Sequence, residues 1–317
     1  MNFILGTMNI QYPYTSNNNQ TNDYYKKMIE TYFESLKNDS QIPILDTAYY
    51  YGNTFTEKIL GNILNEIPIK NYKMATKANP WFENDFSNGI LGQLSPENVE
   101  RQLNTSLKNL QKENIEYFFL HAPDHETPII DTLTKCDELW RKEKFHQLGI
   151  SNYSKEQLEE IKIICENHNL IKPSIYQGMY NLISRNVEEI FPHLEEMEFW
   201  AYNPLAGGLL TGKYKNGIQE NSRFMNNSIY QNIFWKSEIN EKLKKFYQLE
   251  NEIENSLIWL KKHSLLRKND KVILGASTMD QLEKNIQIYN SDFSINQENL
   301  KILNDLYDKN ISPNYYY

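Results

Sequence analysis

Residues 42–53 read IPILDTAYYYGN, an apolar run that ends in an aspartate and passes into three tyrosines and a glycine. The run has strand length, and the turn residues after it end the strand. Runs of the same kind recur at 3–8 (FILGTM), 72–78 (YKMATKA), 115–122 (IEYFFLHA), 146–152 (HQLGISN), 173–177 (PSIYQ), 198–204 (EFWAYNP) and 271–277 (KVILGAS), which with 42–48 makes eight. Amphipathic helices lie between them. In SPENVERQLNTSLKNL, Ser95 suits an N-cap, Pro96 the first helical position, and Val99, Leu103, Leu107 and Leu110 share one apolar face. In YSKEQLEEIKIIC, Ser154 and Gln157 form a capping-box pattern ahead of Leu158, Ile161 and Cys165. Strand and helix in alternation imply a parallel sheet with right-handed crossovers, and eight such units predict an α/β fold, a closed (β/α)8 TIM barrel. Barrels run to about 250 residues as one unit, so residues 1–317 are expected to form a single domain. Two segments stand outside the repeat: a long Gly-rich and then Asn-rich loop at 205–236, after the seventh strand, and a tail from about 290 with a helix (NQENLKILNDLY) and the ending SPNYYY.

Apolar residues make up 40% of the chain, enough for a sizeable core. A formal net charge of −8 and a pI near 5.4 argue against a nucleic-acid surface, which needs clustered Lys and Arg. The two cysteines, Cys136 and Cys165, fall in helical patterns and suggest a reducing compartment rather than a disulfide framework. The start MNFILGTMNIQYPY lacks a basic segment and a long apolar run, and no window approaches a membrane span. The expectation is a cytoplasmic protein.

Asp46, Lys77, His121, Asn152, Gln177 and Asn203 all fall near the C-terminal ends of expected strands. In a barrel those ends converge on the face that carries the chemistry. A phenol has a pKa near 10 and donates protons poorly at neutral pH. A nearby ammonium favours the phenolate and lowers that value toward the working range. Lys77 is the candidate cation, Asp46 its counter-charge, and His121 a hydrogen-bond donor to a substrate carbonyl oxygen. Each residue alone reads as packing, a cap or a rim charge; their joint placement on successive strands points to a site.

Two motifs suggest other chemistry and fail on detail. In HAPDH, His121 and His125 share a face only on a helix, which Pro123 opposes, so no metal site is expected. Gly207 to Lys213 matches a phosphate-loop spacing, but Tyr214 stands where Ser or Thr would ligate magnesium. The same glycines could let backbone approach a pyrophosphate, with Lys213 and Arg223 adding charge. Thr278 and Gln281 form a capping pattern, so Gly275 to Thr278 could offer amides at a helix N-terminus. No G-x-G-x-x-G fingerprint occurs.

LDTAYYYG, MATKANPW, LHAPDHETP, GISNYS, YQGMYN, YNPLAGGLLTGKY and VILGAS with QLEKN resemble the ordered motifs of the aldo-keto reductases. ATKANPW, LHAPDH and the ending PNYYY resemble the aflatoxin-aldehyde and succinic-semialdehyde reductase branch. The resemblance runs from Gly6 to Tyr317. It implies reduction of aldehydes, and by extension dicarbonyls or ketones, by NADPH bound without a Rossmann domain, a reaction suited to carbonyl detoxification. The family's tetrad maps to Asp46, Tyr51, Lys77 and His121, with Tyr51 as general acid because it lies five residues after Asp46 and just before Gly52. Nicotinamide contacts map to Asp46, Ser151, Asn152, Gln177 and Tyr202. The rest of the cofactor maps to Asn203, Pro204, Leu205, Gly207, Gly208, Leu209, Lys213, Arg223, Gly275, Ser277, Gln281 and Asn285.

Gly275 and Gln281 stand where many relatives carry Lys and Arg for the 2′-phosphate, so that contact is expected from Arg223, Lys213 or Ser277. Substrate contacts map to Met8, Tyr51, Trp81, His121, Phe224, Trp235 and Tyr317. Ile233 and Tyr317 replace arginines that relatives use for carboxylated aldehydes, which predicts a preference for neutral or aromatic carbonyls. Relatives often dimerise, though no patch marks an interface. Potassium-channel β subunits share the barrel, so a cofactor-binding regulatory subunit is the competing reading, separated from an enzyme by aldehyde-dependent turnover.

Overall fold

The computed structural model describes residues 2–10, 18–37, 41–81, 92–218, 220, 223–226 and 228–313. Eight parallel strands close into a barrel in sequence order: β1 Asn2–Gly6, β2 Ile44–Asp46, β3 Lys73–Ala78, β4 Ile115–Leu120, β5 Phe145–Ser151, β6 Ile175–Met179, β7 Glu198–Tyr202 and β8 Lys271–Gly275. The seam runs from Asn2↔Lys271 to Gly6↔Gly275. All eight expected strands form, most trimmed at an end. The strand expected at 42–48 is trimmed most, because Pro43 has no N–H to donate and Tyr51 N–H already turns back to the Ala48 carbonyl at 3.1 Å. The helices are α1 Asn18–Ser35, α2 Thr56–Glu66, α3 Pro96–Leu110, α4 Ile129–Arg141, α5 Lys155–His168, α6 Arg223–Asn226, α7 Ser228–Phe234, α8 Ser237–Phe246, α9 Glu252–Lys262, α10 Met279–Asn290 and α11 Gln297–Asn304.

The strand period of two sorts the side chains. Ile4, Ile44, Ala75, Tyr117, Phe119, Ile175, Trp200 and Ile273 fill the barrel, while Leu45, Met74, Ala78, Phe118, Leu148 and Ile150 face the helices. Positions in step with the inner set are therefore Asp46, Lys77, His121, Ser151, Gln177 and Tyr202. A Cβ on Gly149 would overlap the Phe119 ring, so glycine is required where that ring fills the barrel.

Helix starts follow the expected chemistry. The Ser95 hydroxyl accepts from Asn98 N–H, and Ser154 and Gln157 form a full capping box. The segment 205–236 is not a plain loop. It contains a 3-10 turn at Ala206–Thr211 and then α6 and α7. Leu209, Leu210, Phe224, Tyr230 and Phe234 bury there, and tertiary packing overrides the Asn-rich composition. The tail carries α11. Cys136 and Cys165 are buried free thiols, and burial raises the pKa of both. Among the described residues no helix is long and apolar enough to cross a membrane.

Candidate active site

The C-terminal ends of β2, β3 and β4 bring the expected tetrad together. Lys77 is fully buried, and its ammonium donates to both Asp46 carboxylate oxygens at 2.8 Å and to the Thr47 carbonyl at 2.7 Å. Three acceptors match the three protons of an ammonium. Burial lowers the Lys77 pKa, opposed first by the Asp46 charge and its hydrogen bonds and then by Glu57. Lys77 Nζ also lies 5.2 Å from the Tyr51 ring centroid. The Tyr51 and His121 rings meet edge-on at 5.9 Å. Desolvation, then the Lys77 charge, pushes His121 well below the ordinary histidine pKa, so the ring is neutral at pH 7.

A tight turn presents Tyr51. Phe55 N–H donates to the Gly52 carbonyl at 3.1 Å, and Thr56 N–H donates to the Tyr51 carbonyl at 3.3 Å. Gly52 has φ +56°, and a Cβ there would stand 2.6 Å from Thr56 Oγ1, which itself donates to the Ile10 carbonyl. The first turn of α2 thus closes directly onto the Tyr51 loop. Trp81 is buried, its ring 5.1 Å from His121 and 5.6 Å from Tyr50.

A second group lies on β5, β6 and β7. Gln177 Nε2 donates to Asp46 Oδ1 at 3.0 Å. Asn152 Nδ2 contacts the Ser151 hydroxyl and the His121 carbonyl, each at 3.0 Å, and its Oδ1 accepts from Tyr202 at 2.7 Å. Asn152 and Asn203 have φ of +65° and +58°, left-handed conformations that asparagine tolerates better than most residues. The Asn203 carboxamide accepts from Gly207 N–H at 2.7 Å, tying the strand end to the 3-10 turn. These amides and hydroxyls offer both donors and acceptors beside Asp46, the complement of a primary carboxamide such as that of nicotinamide.

The other expected positions are more varied. Pro204 is buried, Leu205 is partly exposed, and Gly207 and Gly208 take φ of +66° and +102°. The Leu209 side chain lies in the core and its carbonyl accepts from Tyr247, so that residue could meet a ligand only through its remaining backbone. Lys213 Nζ lies 4.8 Å from the Tyr214 ring centroid. Tyr214 is buried, and the chain turns here rather than entering the α-helix that a phosphate loop precedes. At the start of α10, Ser277 N–H donates to Gln281 Oε1 at 3.0 Å and Met279 N–H to the Tyr24 hydroxyl at 2.8 Å. Gly275 is exposed at the end of β8 and Asn285 is buried in α10.

Met8 is exposed after β1. Phe224 is fully enclosed, with Tyr214, Tyr230, Phe234 and Trp235 rings within 6.3 Å, so substrate contact would require that cluster to open. Trp235 and Ile233 are partly buried against the same core. Tyr317 and the Arg223 side chain lie outside the described residues. Asp124, between the two histidines of HAPDH, is engaged by Gly92, Leu94 and Glu126 N–H groups and by Thr127, which makes it a loop organiser.

Sequence reasoning missed Glu57, a fully buried carboxyl in the first turn of α2. A charge on the same helical face as Gly61 and Leu64 was the available signal.

The Aldo/keto reductase family model matches residues 2–308. The chain is 42% identical over 265 residues to aflatoxin B1 aldehyde reductase member 2 of Rattus norvegicus, covering 76% of this chain and 70% of that protein. It is 40% identical over 265 residues to aflatoxin B1 aldehyde reductase member 4 of Homo sapiens, covering 76% and 78%. Glycerol dehydrogenase AKR11B4 from Gluconobacter oxydans shares the fold with a TM-score of 0.73 at 23% identity, over 99% of this chain and 93% of that one. The chain belongs to the aldo-keto reductase family, whose members are oxidoreductases acting on carbonyl groups.

Proposed function

We propose that the protein is an NADPH-dependent aldehyde reductase in which Tyr51 is the general acid and Asp46, Lys77 and His121 complete the catalytic set. The observation that carries this reading is the buried Lys77 ammonium, clamped by Asp46 and lying 5.2 Å from the Tyr51 ring centroid. Its cationic charge favours loss of the Tyr51 proton, and Asp46 keeps the lysine charged against the pull of burial. His121, held neutral, can donate one N–H to the carbonyl oxygen, orienting it toward Tyr51 and stabilising charge that develops there. Ser151, Asn152 and Gln177 would hold the nicotinamide carboxamide, with Tyr202 beside the ring. When bound, the nicotinamide would supply the hydride that the carbonyl carbon takes up. Tyr51 then delivers the proton to the oxygen, which completes an alcohol.

Tyr50, Tyr51, Trp81 and His121 surround the reacting position with aromatic surface, which favours neutral and aromatic aldehydes over charged ones. The names of the relatives support an aldehyde substrate. The test is a panel of aldehydes assayed by loss of NADPH absorbance, with NADH in parallel and Tyr51→Phe as control. Turnover by wild type that Tyr51→Phe abolishes supports the proposal; cofactor retention without turnover of any aldehyde refutes it.

A further inference from the structure

Glu57 plays no part in the chemistry described so far, yet it is the one carboxyl in α2 with no exposed surface. A buried carboxyl needs partners, and Glu57 finds them on two other elements. Thr76 Oγ1 on β3 donates to Glu57 Oε1 at 2.6 Å, and Asn109 Nδ2 on α3 donates to Glu57 Oε2 at 3.4 Å. Thr76 immediately precedes Lys77. By the alternation of the strand, its side chain faces the helices while Lys77 enters the barrel. On the α2 side, Glu57 follows Thr56, whose N–H bonds the Tyr51 carbonyl and whose hydroxyl bonds the Ile10 carbonyl. Asn109 closes the arrangement from the α3 side, where Gly61 allows α2 to pack directly against the Asn109 and Leu110 backbone.

We infer that Glu57 is a positioning residue for the proton donor: through the Thr76 hydroxyl it locks the strand carrying Lys77 to the helix turn that closes onto the Tyr51 loop, and its negative charge biases that pair. The inference rests on the proposed Tyr51–Lys77 chemistry. Burial pushes the Glu57 carboxyl upward, opposed by hydrogen bonds from Thr76, Ser106 and Asn109 and then by the Lys77 charge. Donors on both oxygens, Thr76 on Oε1 and Asn109 on Oε2, nevertheless favour the carboxylate. Its charge supports the Lys77 ammonium and resists formation of a Tyr51 phenolate, which extends the pH range in which the donor holds its proton.

The test compares Glu57→Gln, Thr76→Val and Thr76→Ser with wild type and Tyr51→Phe in the same NADPH-linked aldehyde assay, with thermal unfolding and cofactor binding confirming a folded barrel. Glu57→Gln keeps an acceptor for Thr76 but loses the charge. Its alkaline limb of kcat should move to lower pH by at least about half a unit, with KM within about twofold. Thr76→Val, which removes the hydroxyl at constant volume, should lower kcat by about tenfold or more at unchanged KM, and Thr76→Ser should restore it. A structural role alone would lower stability without moving the pH profile. If Glu57→Gln superimposes on the wild-type profile and Thr76→Val keeps its kcat, the inference is overturned. Tyr51→Phe separates the two ideas, because retained activity there refutes the catalytic assignment itself.

Discussion

Replacing Asp46 by Asn removes the only carboxylate, among the described residues, in direct contact with Lys77 while keeping an oxygen for Gln177. Two unit charges at the 2.8 Å separation of Lys77 Nζ and Asp46 attract by roughly 6 kcal/mol at an effective dielectric of about 20. Desolvating both ions consumes several kcal/mol each, so the pair is nearly neutral as a unit and expensive only when broken. In Asp46→Asn the stranded lysine can shed its proton, which at pH 7 costs at most about 4.6 kcal/mol relative to an ordinary lysine. The expected loss is therefore about 3–4 kcal/mol for Asp46→Asn, and about 3–5 kcal/mol for Lys77→Met, which strands the carboxylate.

The double variant Asp46→Asn/Lys77→Met leaves neither charge and should fall short of the sum by at least about 2 kcal/mol. Urea unfolding followed by tryptophan fluorescence and circular dichroism measures all four corners. The sign with pH is also set. A buried lysine of depressed pKa binds fewer protons folded than unfolded, so Asp46→Asn should gain stability as pH rises toward about 10. Additivity within about 0.5 kcal/mol, or a loss that does not diminish at alkaline pH, would refute the reasoning. Both single variants should also lose about a hundredfold or more in kcat, as expected when a tuned proton donor loses its partner.

Tyr51→Phe should abolish turnover while cofactor binding, read by quenching of protein fluorescence, persists; Tyr50→Phe should stay within about threefold of wild type, and the reverse pattern would place the donor one residue earlier. The depressed pKa of His121 is worth stability that is present above about pH 6.5 and is lost as pH falls through the folded-state value. His121→Gln should accordingly flatten the acid side of the stability curve measured by thermal unfolding, and an unchanged slope would contradict a buried neutral ring. Kinetic comparison of succinic semialdehyde with neutral aldehydes should favour the neutral ones, and a strong preference for the carboxylated substrate would mean a cation near the pocket supplies the missing clamp. With Gly275 at the end of β8 and Gln281 in the first turn of α10, Lys213→Ala should weaken NADPH more than NADH, and equal losses would exclude Lys213 as a 2′-phosphate contact.

The barrel was legible because its information is local and repeated. Each strand is a short apolar run, and the period of two that sends Ala75 and Phe119 into the barrel carries Lys77 and His121 to the same interior two residues later. Asp46, Lys77 and His121 thus followed from position along three short segments, whereas the choice of Tyr51 among three tyrosines rested on the resemblance to the aldo-keto reductases. Contacts between distant segments were not legible in this way. Tyr24 and Met279, bonded through a hydroxyl, are separated by 255 residues, and neither segment carries a mark of the other. The run 205–236 looked like a loop because its composition is polar on average, whereas its few aromatic residues decide its structure by packing on one another.

Glu57 shows the same limit more sharply. Its charge on an apolar helix face was visible, but a buried carboxyl has meaning only through its partners, and Thr76 and Asn109 lie 19 and 52 residues away. Local pattern therefore places a side chain on the inner or outer surface of a strand, while its proton affinity is set by groups that fold up against it. The strand ends that carry the proposed site could be located from sequence alone. The contacts that join Glu57 to the strand of Lys77, on which the proposed proton transfer would depend, required the packing of α2 and α3 against β3.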